Sequence, residues 1–117
     1  MTSHTINIPN WHPTRLNTLM ENRWSASRKK KADAQMMAVY AYNAKIPKAT
    51  GKRIVEILIT LTRGRSPDPD AFHKTVLDGL TSTGYLKDDS EKWAHCPPAK
   101  FMRGKQKATQ IVLTDIA

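Results

Sequence analysis

Residues 53–62 (RIVEILITLT) constrain the fold more than any other part of the chain. The run is dense in β-branched side chains, which suit a pleated strand better than a helix. Alternate side chains point to opposite sides of a strand. Val55, Ile57, Ile59 and Leu61 therefore share one wholly apolar face. Ile54, Glu56, Leu58, Thr60 and Thr62 share a mixed one. This predicts a strand whose one side is fully covered. Residues 63–69 then form a basic loop with Gly64 and two prolines. A helix is predicted over 71–83, with Asp70 as N-cap, Gly84 as the C-terminal stop, and Phe72, Val76, Leu77 and Leu80 as its buried stripe.

The flanking segments extend this unit. Residues 5–8 alternate weakly and end at Pro9, which predicts a short strand. A second helix is predicted from the basic run Arg28-Lys29-Lys30-Lys31 to Ala44, capped by Ser27, with Ala32, Met36, Met37, Tyr40, Ala41 and Ala44 as its apolar positions. Residues 93–101 read as strand-like, broken at Pro97-Pro98. Residues 100–107 read as a basic loop, and 108–116 as a closing strand. The order is β-α-β-α-β with an extra strand near residue 93. The fold class is α/β (α+β): a small mixed β-sheet with two main helices in a single domain over 1–117.

Composition narrows the function. The 117 residues carry 19 Lys and Arg against 10 Asp and Glu, a net charge of +9, which favours polyanionic partners. No apolar run is long enough to span a bilayer, and the N-terminus lacks a secretory plan. The lone Cys96 rules out an internal disulfide. The expectation is a cytoplasmic protein that does not engage membranes. The acids are unevenly placed. Residues 68–91 hold six of them (Asp68, Asp70, Asp78, Asp88, Asp89 and Glu91) against Lys74 and Lys87, while the rest of the chain has 17 bases and 4 acids. An acidic island in a basic protein suits phosphate chemistry if the island holds divalent cations.

Asp68-Pro69-Asp70 sits where the central strand gives way to its helix. In extended backbone both carboxylates face one point, and Pro69 biases Asp68 toward extension. Lys74 lies one turn into the helix on the side of Asp70. Asp88 and Asp89 can rejoin the pair if the chain folds back after Gly84. Hard oxygen donors without a His or Cys cluster suit Mg²⁺ or Mn²⁺. Such an ion activates water and neutralises phosphate charge, and a lysine stabilises the transition state. Each group also has a plainer reading as a turn, cap or solvated-loop residue. Asp78 reads as a surface partner of Lys74. His73 and His95-Cys96 lack zinc spacing. Trp11, Trp24 and Trp93 read as core or interface residues.

The ordered set Arg65-x-x-Asp68-x-Asp70-x-x-x-Lys74-x-x-x-Asp78-Gly79-Leu80, with Gly84-Tyr85-Leu86-Lys87-Asp88-Asp89 after it, resembles the RusA family of Holliday-junction resolvases. The likeness is strongest over residues 53–91. Ile6-Asn7-Ile8-Pro9 and the basic segment before residue 109 resemble the family's first strand and final hairpin. The family comprises small, basic, cytoplasmic homodimers, often encoded by phages or prophages, that resolve four-way DNA junctions by paired, Mg²⁺- or Mn²⁺-dependent cuts. The resemblance implies metal binding by Asp68, Asp70 and Asp89, with Asp88 as a fourth carboxylate. It implies that Asp68, Asp70, Lys74 and Asp89 are catalytic, with Lys74 at the scissile phosphate. Arg63, Arg65, Lys100, Arg103, Lys105 and Lys107 are the candidate DNA contacts. The family usually has Asn where this chain has Ala71, and an aliphatic residue where it has Pro69. Two rivals follow: a degenerate relative that binds junctions or other DNA without cutting, and a basic protein bound to RNA or ribosomes.

Overall fold

The computed structural model describes residues 2–15 and 23–116, with the side chains of the first helix described from residue 25 onward. The side chain of Trp24 therefore lies outside the described residues. The elements run β1 (Ser3–Pro9), α1 (Arg23–Asn43), β2 (Arg53–Leu61), α2 (His73–Ser82), β3 (Ala94–His95), β4 (Lys100–Arg103) and β5 (Ala108–Asp115). Among the described residues they form a mixed α+β domain with a five-stranded sheet and two helices. The strand order is β1-β5-β2-β3, and β4 also pairs with β2. β5 lies antiparallel to both β1 and β2, whereas β3 and β4 lie parallel to β2. Parallel pairing needs a crossover, and α2 supplies it.

β2 is central because it alternates as its sequence demands. Val55, Ile57, Ile59 and Leu61 are buried, facing a core shared with Ile6, Ile8, Ile111 and Leu113 from β1 and β5. Phe72, Val76 and Leu80 of the α2 segment and Met37 and Ala41 of α1 close this core. Leu77 is only half-buried. Pro97-Pro98 divides the outer strand into β3 and β4, a break tolerated because this strand is an edge. Residues 100–103 are thus strand rather than loop. They pair with residues 58–61, and only 104–107 remain as the basic turn.

The first helix departs from its sequence reading at its start and on part of its buried face, and ends at Asn43, close to the expected Ala44. It starts at Arg23, so Ser27 lies inside it and caps nothing. Its buried side is Asp33, Ala34, Met37 and Ala41, whereas Ala32, Met36 and Ala44 are exposed. Small residues decide this rotation. A Cβ on Gly79 of α2 would fall inside contact distance of Met37 Cε and 3.2 Å from Ala34 Cα. Glycine therefore lets the helices approach along the Ala34 face. Asp33 is buried there because its Oδ2 accepts the Thr14 backbone N–H at 3.1 Å.

Both helices end in the same hydrogen-bond motif. After α2, Tyr85 N donates to Leu80 O and Gly84 N to Thr81 O, with Gly84 at φ +89° as expected. After α1, Ile46 N donates to Ala41 O and Lys45 N to Tyr42 O, but the left-handed residue is Lys45, at φ 60°.

The base of β2 is held by a group that strand patterning does not reveal. Arg53 is 1% exposed. Its Nε donates to Asp115 Oδ1 at 2.6 Å, its Nη1 to Tyr85 O at 3.0 Å and its Nη2 to Pro47 O at 2.9 Å. His4 Nε2 meets the other Asp115 oxygen at 2.9 Å. One guanidinium thus joins β2, β5 and the two turns after the helices. The Arg53 hydrogen bonds hold the Asp115 carboxyl below its ordinary value of 3.8, against a smaller opposing effect of burial.

Candidate active site

Asp68-Pro69-Asp70 joins β2 to α2, as expected, but not in extended form. Ala71 N donates to Asp68 O at 2.9 Å, which closes a tight turn. Asp68 Oδ1 also accepts the Asp70 backbone N–H at 2.9 Å. Asp68 is therefore the residue whose side chain organises the turn, with Pro69 fixing its first corner. Asp70 does not cap the helix through its side chain. α2 starts at His73, and its N-cap position, Phe72, has no side-chain cap. The premise that alternation in an extended chain aligns the two carboxylates is corrected accordingly.

The turn is anchored to the edge strand. Ala99 N donates to Pro69 O at 3.3 Å. Burial, and next the charge of Asp70, push the Cys96 thiol up to about 12. Cys96 is thus an inert thiol at neutral pH, set close enough to Asp70 to feel its field. Asp70 itself is 75% exposed, with His73 Nδ1 at 3.8 Å from its Oδ1. The other ring nitrogen of His73 is buried without a hydrogen-bond partner. An unpaired lone pair there costs less than an unpaired N–H, which favours the tautomer with its proton on Nδ1, toward Asp70.

Lys74 does not pair with Asp70. Its Nζ lies 3.4 Å from Asp78 Oδ2, one turn further along α2. Asp88 and Asp89 are exposed on the turn after α2. The Asp89 backbone N–H and the Ser90 hydroxyl hold the Asp88 carboxyl below its ordinary value. Glu91 turns away to His95 Nδ1 at 2.8 Å. Among the described residues, no three His, Cys, Asp or Glu side chains stand together as a metal-ligand group. Asp68 and Asp70 stand two residues apart in a single turn, and Asp88 and Asp89 are not gathered with them into such a group.

The donor chemistry still suits a hard cation. Both candidate ligands are carboxylates, and Asp70 is open to solvent. Mg²⁺ keeps several waters and is commonly held by one or two carboxylates together with substrate phosphates, so a full protein cage is not required.

The basic candidates cluster by topology. Gly104 N donates to Leu61 O at 3.0 Å, which sets the turn after β4 beside the loop after β2. Arg63 and Arg65 of one loop, and Arg103, Lys105 and Lys107 around the other, are all exposed at this end of the sheet. Lys100 is also exposed, but strand alternation sends it to the opposite face from Arg103. The sequence reading missed His73, Arg53 and Lys30. The only available signals were the opposed charges of Arg53 and Asp115 at matching ends of two strands, and the position of His73 three residues after Asp70. Lys30 meets Asp78 at 4.0 Å across 48 residues, which no local pattern reveals.

No known family model matches the chain, and no curated protein matches it. Among the described residues, no helix is long and apolar enough to cross a membrane.

Proposed function

We propose that this chain is a metal-dependent endodeoxyribonuclease that cuts branched DNA, resolving four-way junctions by paired phosphodiester hydrolysis. The observation that carries the reading is the Asp68-Pro69-Asp70 turn, two hard carboxylates at the entrance of α2 on a strongly basic chain. The likeness of residues 53–91 to RusA resolvases supports it, and with it a homodimer that carries one site for each of two strands, as expected of a cytoplasmic phage or prophage enzyme.

In this reading Asp68 and Asp70 hold Mg²⁺ or Mn²⁺, which activates water and offsets phosphate charge. Asp68 does so with one oxygen tied to its own turn, which fixes the direction of the carboxylate. His73 keeps Asp70 oriented through Nδ1. Asp89, with Asp88 beside it, is the further carboxylate that the RusA likeness implies, although among the described residues it is not gathered with Asp68 and Asp70. Lys74 neutralises charge that builds on the phosphate in the transition state. Arg63, Arg65, Arg103, Lys105 and Lys107 hold the DNA backbone, and Lys100 contacts it from the other sheet face. Such binding weakens steeply with salt.

A second reading is favoured by Ala71 and by the lack of a gathered third ligand: a junction-binding protein that does not cut. Metal affinity separates the two. Mn²⁺ titrated into the wild-type protein is expected to bind with DNA absent or present, and Asp70→Asn is expected to lose at least tenfold in affinity. Equal Mn²⁺ binding by both proteins would remove Asp70 from the metal site, and no Mn²⁺ binding by the wild type would leave the non-cutting reading.

A further inference from the structure

Lys30 on α1 and Lys74 on α2 converge on a single carboxylate oxygen. Lys30 Nζ lies 4.0 Å and Lys74 Nζ 3.4 Å from Asp78 Oδ2. All three side chains are partly exposed, at 42%, 51% and 31% respectively. Two ammonium groups this close repel one another, and the shared carboxylate is what makes the arrangement favourable. The trio keeps a net positive charge, with unused ammonium donors facing solvent.

The setting is a groove of about 790 Å³ between α1 and α2, lined by Ser27, Lys30, Lys31, Thr75 and Asp78 among others. Partly exposed Lys30 and exposed Lys31 stand at its rim, whereas Ala34, Gly79 and Thr75 are buried, the Thr75 hydroxyl donating to Thr14 O. Lys74 starts from the same helical turn as His73, the neighbour of Asp70. Through Asp78, Lys30 is held beside Lys74 on the same surface.

We infer that Lys30 is a phosphate contact for the bound DNA strand and that Asp78 is a positioning residue that holds Lys30 and Lys74 together as one cationic clamp. The inference rests on the nucleic-acid reading above and extends it onto α1, whose basic run that reading leaves unused. The occupant is the phosphodiester backbone of DNA, held without regard to base sequence.

The clamp makes a prediction opposite in sign to simple charge counting. Removing the Asp78 charge adds to the positive field, so charge counting expects tighter DNA binding. Loss of the clamp's geometry instead weakens binding. The experiment is fluorescence anisotropy of a labelled four-way junction across a salt series, in an Asp70→Asn background so that nothing is cut. Lys30→Met and Lys74→Met are each expected to lower the salt slope by about 0.9 and to weaken binding several-fold at fixed salt. Lys45→Met is the control. It removes an exposed lysine just past the far end of α1, about 20 Å from Lys30, and is expected to leave the slope unchanged. Asp78→Asn is expected to weaken binding at least threefold. An unchanged slope for Lys30→Met, or an equal fall for Lys45→Met, overturns the contact. Tighter binding by Asp78→Asn overturns the clamp. The readout is binding alone, so it is independent of whether the wild-type chain cleaves.

Discussion

Two aspartates of this chain meet opposite fates. Asp115 lies against a guanidinium that is 1% exposed and has each of its nitrogens engaged. Asp70 is 75% exposed, with one histidine at ion-pair distance. Each oxygen of the first carboxylate has a partner within the fold, although the side chain is 38% exposed. The second is held in place by a proline turn but keeps its oxygens for something else. A charge whose desolvation is compensated by internal partners is structural, and removing one partner is costly. A charge left open at an ordered turn costs the fold little and is free to bind. The difference is one of satisfaction rather than residue type.

The comparison breaks most directly at Asp70. Asp70→Asn is expected to abolish junction cleavage while its unfolding free energy in urea stays within about 0.5 kcal/mol of wild type, as for other exposed substitutions. Cleavage at the wild-type rate would remove Asp70 from the chemistry, and a large loss of stability would remove the contrast. Arg53→Met is expected to do the reverse. It leaves the carbonyls of Tyr85 and Pro47 without their donor and Asp115, 38% exposed, without its cation, and should lower stability by about 2–4 kcal/mol in urea unfolding. A loss below about 1 kcal/mol would show that the buried guanidinium is not holding the sheet base.

Smaller effects sharpen the same contrast. Gly79→Val forces α1 away from α2 at Ala34 and should cost about 1–3 kcal/mol, measurable by thermal or urea unfolding. The Asp115 carboxyl has a depressed value in the folded chain, so its contribution to stability is present above 3.8 and is lost as the pH falls through the lower folded value. Wild type should therefore lose stability on acidification below about pH 4, and Asp115→Asn should show a shallower loss over the same window. An identical slope would refute the pairing. Lys45→Gly relieves a left-handed non-glycine residue and should stabilise by about 1 kcal/mol. No change would mean that the turn relaxes without cost.

The legible parts of the chain are those with local causes. β2 follows from alternation in residues 53–61, the end of α2 from Gly84, and the divided edge strand from Pro97-Pro98. The Asp68–Asp70 pair was visible because its neighbour is a proline. Its geometry was not, because the Asp68 side chain competes for the backbone and closes a turn. The buried side of α1 is legible only in part, with Met37, Tyr40 and Ala41 on the core but Ala32, Met36 and Ala44 exposed, because alanines alone do not fix a face. Its rotation depends on Gly79, which is 45 residues from Ala34 in sequence. The Arg53–Asp115 and Lys30–Asp78 contacts depend on topology in the same way.

The most direct test of the central claim is cleavage of a labelled four-way junction by the wild-type chain in Mg²⁺ or Mn²⁺, beside a linear duplex of the same sequence. Symmetric paired nicks in the junction alone, absent when the metal is chelated, are the predicted result. Tight junction binding with no cut in either metal would contradict the nuclease assignment.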